Sequence, residues 1–499
     1  MTLTQAKEYL LTLEKAVVAL NHAMSILSLD GETAAPSQSW RGRGETMAYL
    51  AEREYHLLAD ERVRDAIACV LQHRSECDEV MVRRAEEFGE RIEESLLTPP
   101  EELAENERLL NEASAVWHEA KVNDDYASFA PYLDRLMEMR RRFARRKDAG
   151  KPPYDVLLDR YEKGLTAARL DPFFDLLRSG LTPVIQAVAE RPAPRSDFLH
   201  RHYPIELQRR FSDRVMALMG LPRDRCAIAE TEHPFTDSNS KWDVRISTHY
   251  YESDVASSLY SVVHEGGHAL YELGTGDELQ FTILGGGSSM SIHESQSRFY
   301  ENLIGRSAPF CRVLFPILRE IFPGQTADVT AEEFYRAVNM AQPSLIRTEA
   351  DELTYPLHIL VRYELEKQMM AGDVTAADLP ALWKELYGRY LGVTVPDDRQ
   401  GVLQDSHWAG GAFGYFPSYA LGSAYGVQML EAMQRDIPVW DEVAAGNLAP
   451  VTAWLGVRIH RYGMLKKPSE LLVSAGVDPF DPQKYVDYLR RKFTELYNL

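Results

Sequence analysis

The string His264-Glu265-Gly266-Gly267-His268 puts two imidazoles four residues apart, with a carboxylate beside the first. Only a helix turns that spacing into a site, because residues four apart share one face and both rings then reach one metal ion. Glu265, one step round, is placed to hold a water beside such an ion without coordinating it. The flanks agree with a helix: Val255, Leu259, Val262, Val263, Leu270 and Leu273 supply apolar positions, and Gly274 can cap the end. Two glycines inside the string cost about 1 kcal/mol each in helix propensity, so something is expected to approach that backbone closely. With 14 histidines in 499 residues, chance supplies roughly 0.03 such strings in a chain of this length.

Zinc needs a third protein donor and keeps a fourth position open for water. The next donors lie in Ser291-Ile292-His293-Glu294-Ser295-Gln296-Ser297-Arg298. His293 and Glu294 are adjacent, about 100° apart on a helix, so only one of them can ligate. Glu294 is the better choice, since a glutamate from a following helix completes the two-histidine, one-glutamate set of zinc peptidases. His293 then serves the groups around the ligands or the substrate pocket. Gly285-Gly286-Gly287-Ser288-Ser289 reads as a mobile connector, because no lysine follows it as a phosphate loop requires.

Elsewhere helix signals dominate. Leu3, Ala6, Leu10, Leu13, Val17, Leu20, Met24 and Leu27 alternate spacings of three and four. That stripe predicts a long amino-terminal helix, ending near Asp30-Gly31 and packed in an intramolecular hairpin. Charged amphipathic helices continue from about residue 40 to 147, broken at Thr98-Pro99-Pro100 and near Asn123-Asp124. Trp242-Asp243-Val244-Arg245-Ile246-Ser247 alternates large or apolar with polar side chains, which predicts a strand in a small sheet. A single core stops growing beyond roughly 250–300 residues. Two subdomains are therefore expected, an amino-terminal helical lobe over 1–195 and a catalytic lobe over 196–499, divided at Arg191-Pro192-Ala193-Pro194.

Composition narrows the function classes. Acidic side chains outnumber basic ones 75 to 55, a formal charge of −20, and that field disfavours nucleic acid and anionic membranes as partners. Four cysteines without a C-x-x-C pair fit neither a disulfide framework nor a thiolate zinc site, as in a reducing compartment. No secretory leader is visible, and no apolar stretch approaches the ~20 residues of a membrane span. A soluble, cytoplasmic protein is the expectation.

Further blocks bracket the histidine motif. They are His233-Pro234-Phe235, Asp243-Val244-Arg245-Ile246-Ser247, His293-Glu294-Ser295-Gln296, Arg347-Thr348-Glu349-Ala350-Asp351 and Gly401-Val402-Leu403-Gln404-Asp405-Ser406-His407-Trp408. In this order, over 233–408, the chain resembles the carboxypeptidase Taq family of metallocarboxypeptidases. Its blocks read H-P-F, D-x-R-x-T, H-E-S-Q, R-x-x-A-D and G-x-x-Q-D-x-H-W. Two departures are conservative: Ser247 stands where the family has threonine, and Leu29, before Asp30-Gly31-Glu32-Thr33, where it has tryptophan.

The resemblance implies a mainly α fold, with two helical lobes flanking a deep substrate groove and a small β-sheet next to the motif helix. It implies release of single residues, with broad side-chain tolerance, from peptide carboxyl termini. It also implies a homodimer, and one zinc per subunit for which cobalt or manganese can substitute. On that reading His264, His268 and Glu294 hold the metal while Glu265 takes the proton of the attacking water. The developing oxyanion needs further donors; Tyr415, Tyr419 and His407 stay open as candidates, with core packing an equal alternative for either tyrosine. A free carboxylate suits a guanidinium fork, with Arg347 as first choice and Arg245 as second. The plainer role for Arg347 is a salt bridge to Asp351 or another carboxylate of the groove. Gln404 and His233 can bond the substrate backbone, and the strand at 242–249 can add the peptide at its edge. A groove-type oligopeptidase or endopeptidase on the same fold is the alternative, which needs no carboxylate clamp.

Overall fold

A capping box formed by Thr2 and Gln5 starts α1 (Leu3–Thr33). The first half of its stripe, Ala6, Leu10, Leu13 and Val17, is buried against α3 (Glu61–Gln72) and α4 (Glu79–Leu96), with α2 (Trp40–Leu58) completing the hairpin. Glu14, buried at the centre, accepts from Arg84 Nε (2.9 Å) and from the Ile283 backbone N–H (3.1 Å). This computed structural model describes residues 1–477 and 480–499. By length and composition α1 is long and apolar enough to cross a membrane, which corrects the expectation that no stretch of the chain reaches that length.

Prolines at 99 and 100 start α5 (Pro100–Asn123), and a left-handed Asp124 ends it before α6 (Tyr126–Lys147). Then come α7 (Pro153–Tyr161), α8 (Ala167–Ala189) and α9 (Ile205–Met219). The expected boundary near 195 is not where the core divides. Leu109 to Val188 bury into the same cluster as the rest of the chain out to Tyr497. The separate cluster holds Ala6 to Ile92, joined by Leu279, Ile283 and Leu284 from a distant loop. The physical reason is that α5 to α8 turn their apolar faces toward the catalytic helices, not toward α1.

The strand expected at 242–249 is present as β3 (Asp243–Thr248), after β1 (Cys226–Glu230) and β2 (Thr236–Ser240). The order is β1-β3-β2, with β1 parallel and β2 antiparallel to β3. Edge addition at β3 is thereby corrected: both of its sides are taken, and the open edges belong to β1 and β2.

The described residues are 68% helical, and this small sheet is the one among them. Asp254 caps α10 (Val255–Leu273), which packs on β2, β3 and α9. Ser289 caps α11 (Met290–Arg298), which runs on without a break into a π-helical segment, Phe299–Gly305. Beyond lie α12 (Ala308–Ile321), α13 (Ala331–Val338), α14 (Tyr355–Ala371), α15 (Leu379–Leu391) and α16 (Pro417–Asp436). The last four are α17 (Val439–Ala444), α18 (Ala449–Arg458), α19 (Pro468–Ser474) and α20 (Pro482–Tyr497). Helix α11 is sandwiched between α10 and α16, and glycines set that spacing. A Cβ on Gly267 would stand 2.6 Å from the Gln296 carbonyl oxygen, and one on Gly422 2.8 Å from Glu294 Cβ. The glycine of the histidine motif is the close approach that its helix cost predicts.

Candidate active site

Both motif histidines lie on one face of α10, and Glu294 of α11 faces them. The donor atoms of His264, His268 and Glu294 all lie within 4.8 Å of one another. Glu294 Oε2 is 3.9 Å from His264 Nε2 and 3.6 Å from His268 Nε2. Donors about 2.1 Å from one tetrahedral ion stand roughly 3.4 Å apart, so the three fit a metal between them. Their far sides are spoken for. His264 Nδ1 meets Glu301 Oε2 at 2.8 Å, and His268 Nδ1 meets His293 Nδ1 at 2.6 Å. Burial pushes His268 down to about 3, which keeps its ring neutral as a ligand must be.

Glu294 carries its own support. Its Oε1 accepts from Arg298 Nε at 2.7 Å, and Arg298 Nη1 reaches Glu301 at 3.2 Å. Arg306 Nη2 donates to the other Glu301 oxygen at 3.2 Å. Burial opposes the charges of Glu294 and Glu301, but Arg298, His264 and, for Glu301, Arg306 outweigh it and hold both carboxyls well below the usual range. Glu301, in the π-segment, lies seven residues after Glu294 and faces α10 beside it.

Glu265 is buried and does not join the metal cluster. Its Oε2 accepts from Thr236 Oγ1 at 2.6 Å, which ties it to the start of β2. Burial raises its carboxyl above the ordinary glutamate range, against the pull of His264 and of the Thr236 hydroxyl. A poised carboxylate beside a metal position is the arrangement of a general base.

A cavity of about 670 Å³ opens beside these groups, and Arg347, Tyr355 and Tyr419 line it together with His264, Glu265 and Glu294. Arg347 does not pair with Asp351, whose carboxylate instead accepts backbone N–H groups of Gln342, Leu353 and Thr354. Its partner is Asp405, reached by Nε at 2.9 Å and Nη2 at 2.8 Å, while Nη1 donates to the Tyr355 hydroxyl at 3.1 Å. The buried Arg362 holds the other Asp405 oxygen at 2.7 Å. Two guanidiniums share one carboxylate, which leaves a cationic surplus at the cavity wall.

The remaining sequence candidates are distributed as follows. Tyr419 lines the cavity, with its hydroxyl 3.2 Å from His407 Nε2. His407 sits behind it, and burial, helped by Arg347, pushes its ring down to about 4. Tyr415 packs edge-on to Tyr161 and Tyr419 and is not part of the wall. Gln404 is spent internally: its Oε1 accepts from Arg347 N and Arg362 Nη2, and its Nε2 donates to the Leu345 and Gln400 carbonyls. A role bonding substrate is thereby corrected to one of bracing both arginines. His233 is exposed before β2 and does not line the cavity, although Pro234 does. Arg245 forks onto Asp243 at 2.7 and 2.9 Å, near Leu29 and Thr33 of α1, and is also absent from the wall. The middle strand of the sheet holds it away from the metal cluster.

Sequence reasoning did not reach Thr236, Glu272, Arg298, Glu301 or Tyr355. Arg298 was open to it, since it lies one helical turn after Glu294 on the same face. Glu301 was open on the same ground, seven residues after Glu294, whereas nothing local marks Thr236. The connector at 285–289 is also tied down: Ser288 N donates to the Tyr271 hydroxyl at 3.0 Å and Ser288 Oγ to the Lys466 carbonyl at 2.6 Å.

Comparison with known proteins agrees with this geometry. Residues 9–493 match the family model described as Carboxypeptidase Taq (M32) metallopeptidase. Carboxypeptidase 1 of Bacillus subtilis is 36% identical over 498 residues, 99% of each chain. Thermostable carboxypeptidase 1 of Thermus thermophilus is 36% identical over the full length of both. The crystal structure of an M32 carboxypeptidase from Deinococcus radiodurans superposes with a TM-score of 0.95 at 33% identity, covering 99% of each chain. The chain belongs to the carboxypeptidase Taq (M32) family of metallopeptidases and is a peptide hydrolase.

Proposed function

We propose that the protein is a zinc carboxypeptidase that releases single residues, with broad side-chain tolerance, from the carboxyl ends of peptides. The observation that carries the reading is the shared cavity. His264 and Glu294 of the two-histidine, one-glutamate donor set, the buried Glu265 and a cationic Arg347 all open onto it, with His268 completing the set behind them. When bound, a divalent ion supplies Lewis-acid polarisation and acidifies water.

The chain's own groups do the rest. Glu265 takes a proton from the attacking water and returns it to the leaving amine. The Tyr419 hydroxyl, backed by His407, and the Tyr355 hydroxyl, backed by Arg347, line the cavity and serve as donors to the developing oxyanion. Arg347 receives the terminal carboxylate and keeps Asp405 as its internal partner. The peptide backbone lies along the open edge of β2, whose first residue, Thr236, holds Glu265. Edge pairing reads main chain, not side chains, which accounts for broad tolerance. Four free cysteines fit a cytoplasmic setting, and the resemblance favours a homodimer.

The experiment is the digestion of one defined peptide, as free acid and as carboxyl-terminal amide. A ladder of products shortened one residue at a time from the free acid, stopped by a chelator and restored by zinc, is the expected outcome. Internal cuts at equal rates on both forms would overturn the reading.

A further inference from the structure

Beyond β2 lies a second cavity, of about 250 Å³, that the reaction above does not use. Its walls are the middle of α1, the outer residues of β2 and the loop after α10. At its rim Phe281 has a φ of 57°, a left-handed backbone that bulky side chains rarely adopt. Such strain persists only where the surroundings hold it, and it gathers at binding sites. The Phe281 ring stacks on Trp242 with centroids 5.7 Å apart, and the two residues remain 55% and 48% exposed. A large ring left in water on the cavity wall, with a second ring stacked on it, marks a place where an apolar group lands.

The interior is equally unfinished. Asn239 Oδ1 and Thr275 Oγ1 are buried without a hydrogen-bond partner, and both residues line the cavity. Buried polar atoms are rarely left so unless a ligand or water serves them. Glu272 joins this cavity to the metal cluster, since it lines the wall and its Oε1 holds His293 Nε2 at 2.8 Å.

Strand β2 sets distance and direction. It begins at Thr236, whose hydroxyl holds Glu265, and runs toward Lys241, whose N–H donates to Gln280 Oε1 in the cavity wall at 2.9 Å. Five residues at about 3.3 Å each span roughly 16 Å. A peptide with its carboxyl end at Arg347 and its reacting carbonyl at Glu265 would run antiparallel to β2, back toward this cavity.

We propose that the cavity under Trp242 and Phe281 is a distal subsite for peptides. It takes an aromatic side chain about four residues before the scissile bond, while Asn239 and Thr275 bond the peptide's polar groups. The placement rests on the carboxypeptidase reading, which fixes where the scissile bond lies.

The test uses acetylated heptapeptides of alanine with one phenylalanine moved through the upstream positions, and an acetylated dipeptide as a reference too short to reach the cavity. With the intact protein, kcat/KM should peak by about 3- to 10-fold when the ring falls about four residues upstream, the scale of one aromatic contact. Phe281→Gly keeps the left-handed turn and removes the ring, so it should flatten the profile, as should Trp242→Ala. A flat wild-type profile, or a peak that survives in both variants, overturns the subsite. Dissociation constants measured on the Glu265→Gln protein follow the same series without turnover. A wild type that frees no carboxyl-terminal residue would sink the carboxypeptidase reading alone, and the binding profile would then decide the subsite.

Discussion

His293 Nδ1 stands 2.6 Å from His268 Nδ1, and the opposite nitrogen of His293 stands 2.8 Å from Glu272. A carboxylate only accepts, so Glu272 fixes the proton of His293 on Nε2. His293 Nδ1 is then an acceptor for the His268 Nδ1–H, and His268 is left with its Nε2 lone pair turned to Glu294 and the metal position. His293, one residue short of the ligand Glu294, thus orients the other helix's ligand.

His293→Ala should therefore weaken metal binding by about 10- to 100-fold, read by competition with a chromogenic chelator. His293→Asn, whose amide nitrogen can donate to Glu272 while its oxygen accepts from His268, should recover part of the loss. An unchanged metal dissociation constant in the alanine variant would reduce His293 to packing.

Glu265→Gln keeps the shape and the Thr236 contact but removes the base. Turnover should fall by ~10²–10⁴-fold, while the metal content measured by elemental analysis stays at the wild-type level. Full activity in this variant would take the proton-transfer role away from Glu265.

Arg347→Ala leaves Asp405 paired with Arg362, so the fold should survive. Loss of a charge-assisted contact in a partly dry site costs about 2–5 kcal/mol, and kcat/KM on free-acid peptides should drop by roughly 30-fold to several thousand-fold. The amidated peptide should lose far less. Equal losses on both peptides would make Arg347 a brace for Asp405 and Tyr355 only.

Glu162 lies against the start of α11, near the hydroxyls of Ser289, Ser291 and Tyr425, and burial pushes its carboxyl up to about 7. The folded state binds this proton more tightly than the unfolded chain. The stability it lends is full below the ordinary range near 4.5 and is lost as pH rises through about 7, by something on the order of 3 kcal/mol. Glu162→Gln removes that dependence, so the variant should gain on the wild type as pH rises. Denaturant titrations at about pH 5 and about pH 8 measure it. A gap that does not move with pH would show that Glu162 is ionised throughout.

Local pattern carried the sequence reading as far as single helices. The four-residue spacing of His264 and His268 fixes a helix face, and the glycine penalty at Gly267 foretells the close approach of Gln296, because both are properties of one element. The α1 stripe is legible for the same reason, although its second half, Leu20, Met24 and Leu27, stays out of the buried cluster that takes the first half. Pairings across elements were not legible. Arg347 lies four residues from Asp351 and 58 from Asp405, yet the distant partner wins because Asp351 is consumed by backbone N–H groups. Alternation at 243–248 announces a strand but says nothing of its neighbours, so the middle place of β3, and with it the position of Arg245, emerges only from the assembled sheet. Glu301 shares a helix face with Glu294 and Arg298, but its reach to His264 is a pairing between two elements that the spacing does not announce.

A π-turn seats one residue more than an α-turn. Deleting a single codon between Arg298 and Glu301 would return that run to ordinary winding and leave Glu301 six residues after Glu294, about 120° away round a regular helix. Glu294 and Arg298 lie upstream of the edit and would keep their places. One in-frame deletion thus separates the carboxylate that ligates from the carboxylate that steadies His264 and leaves both charges in the chain.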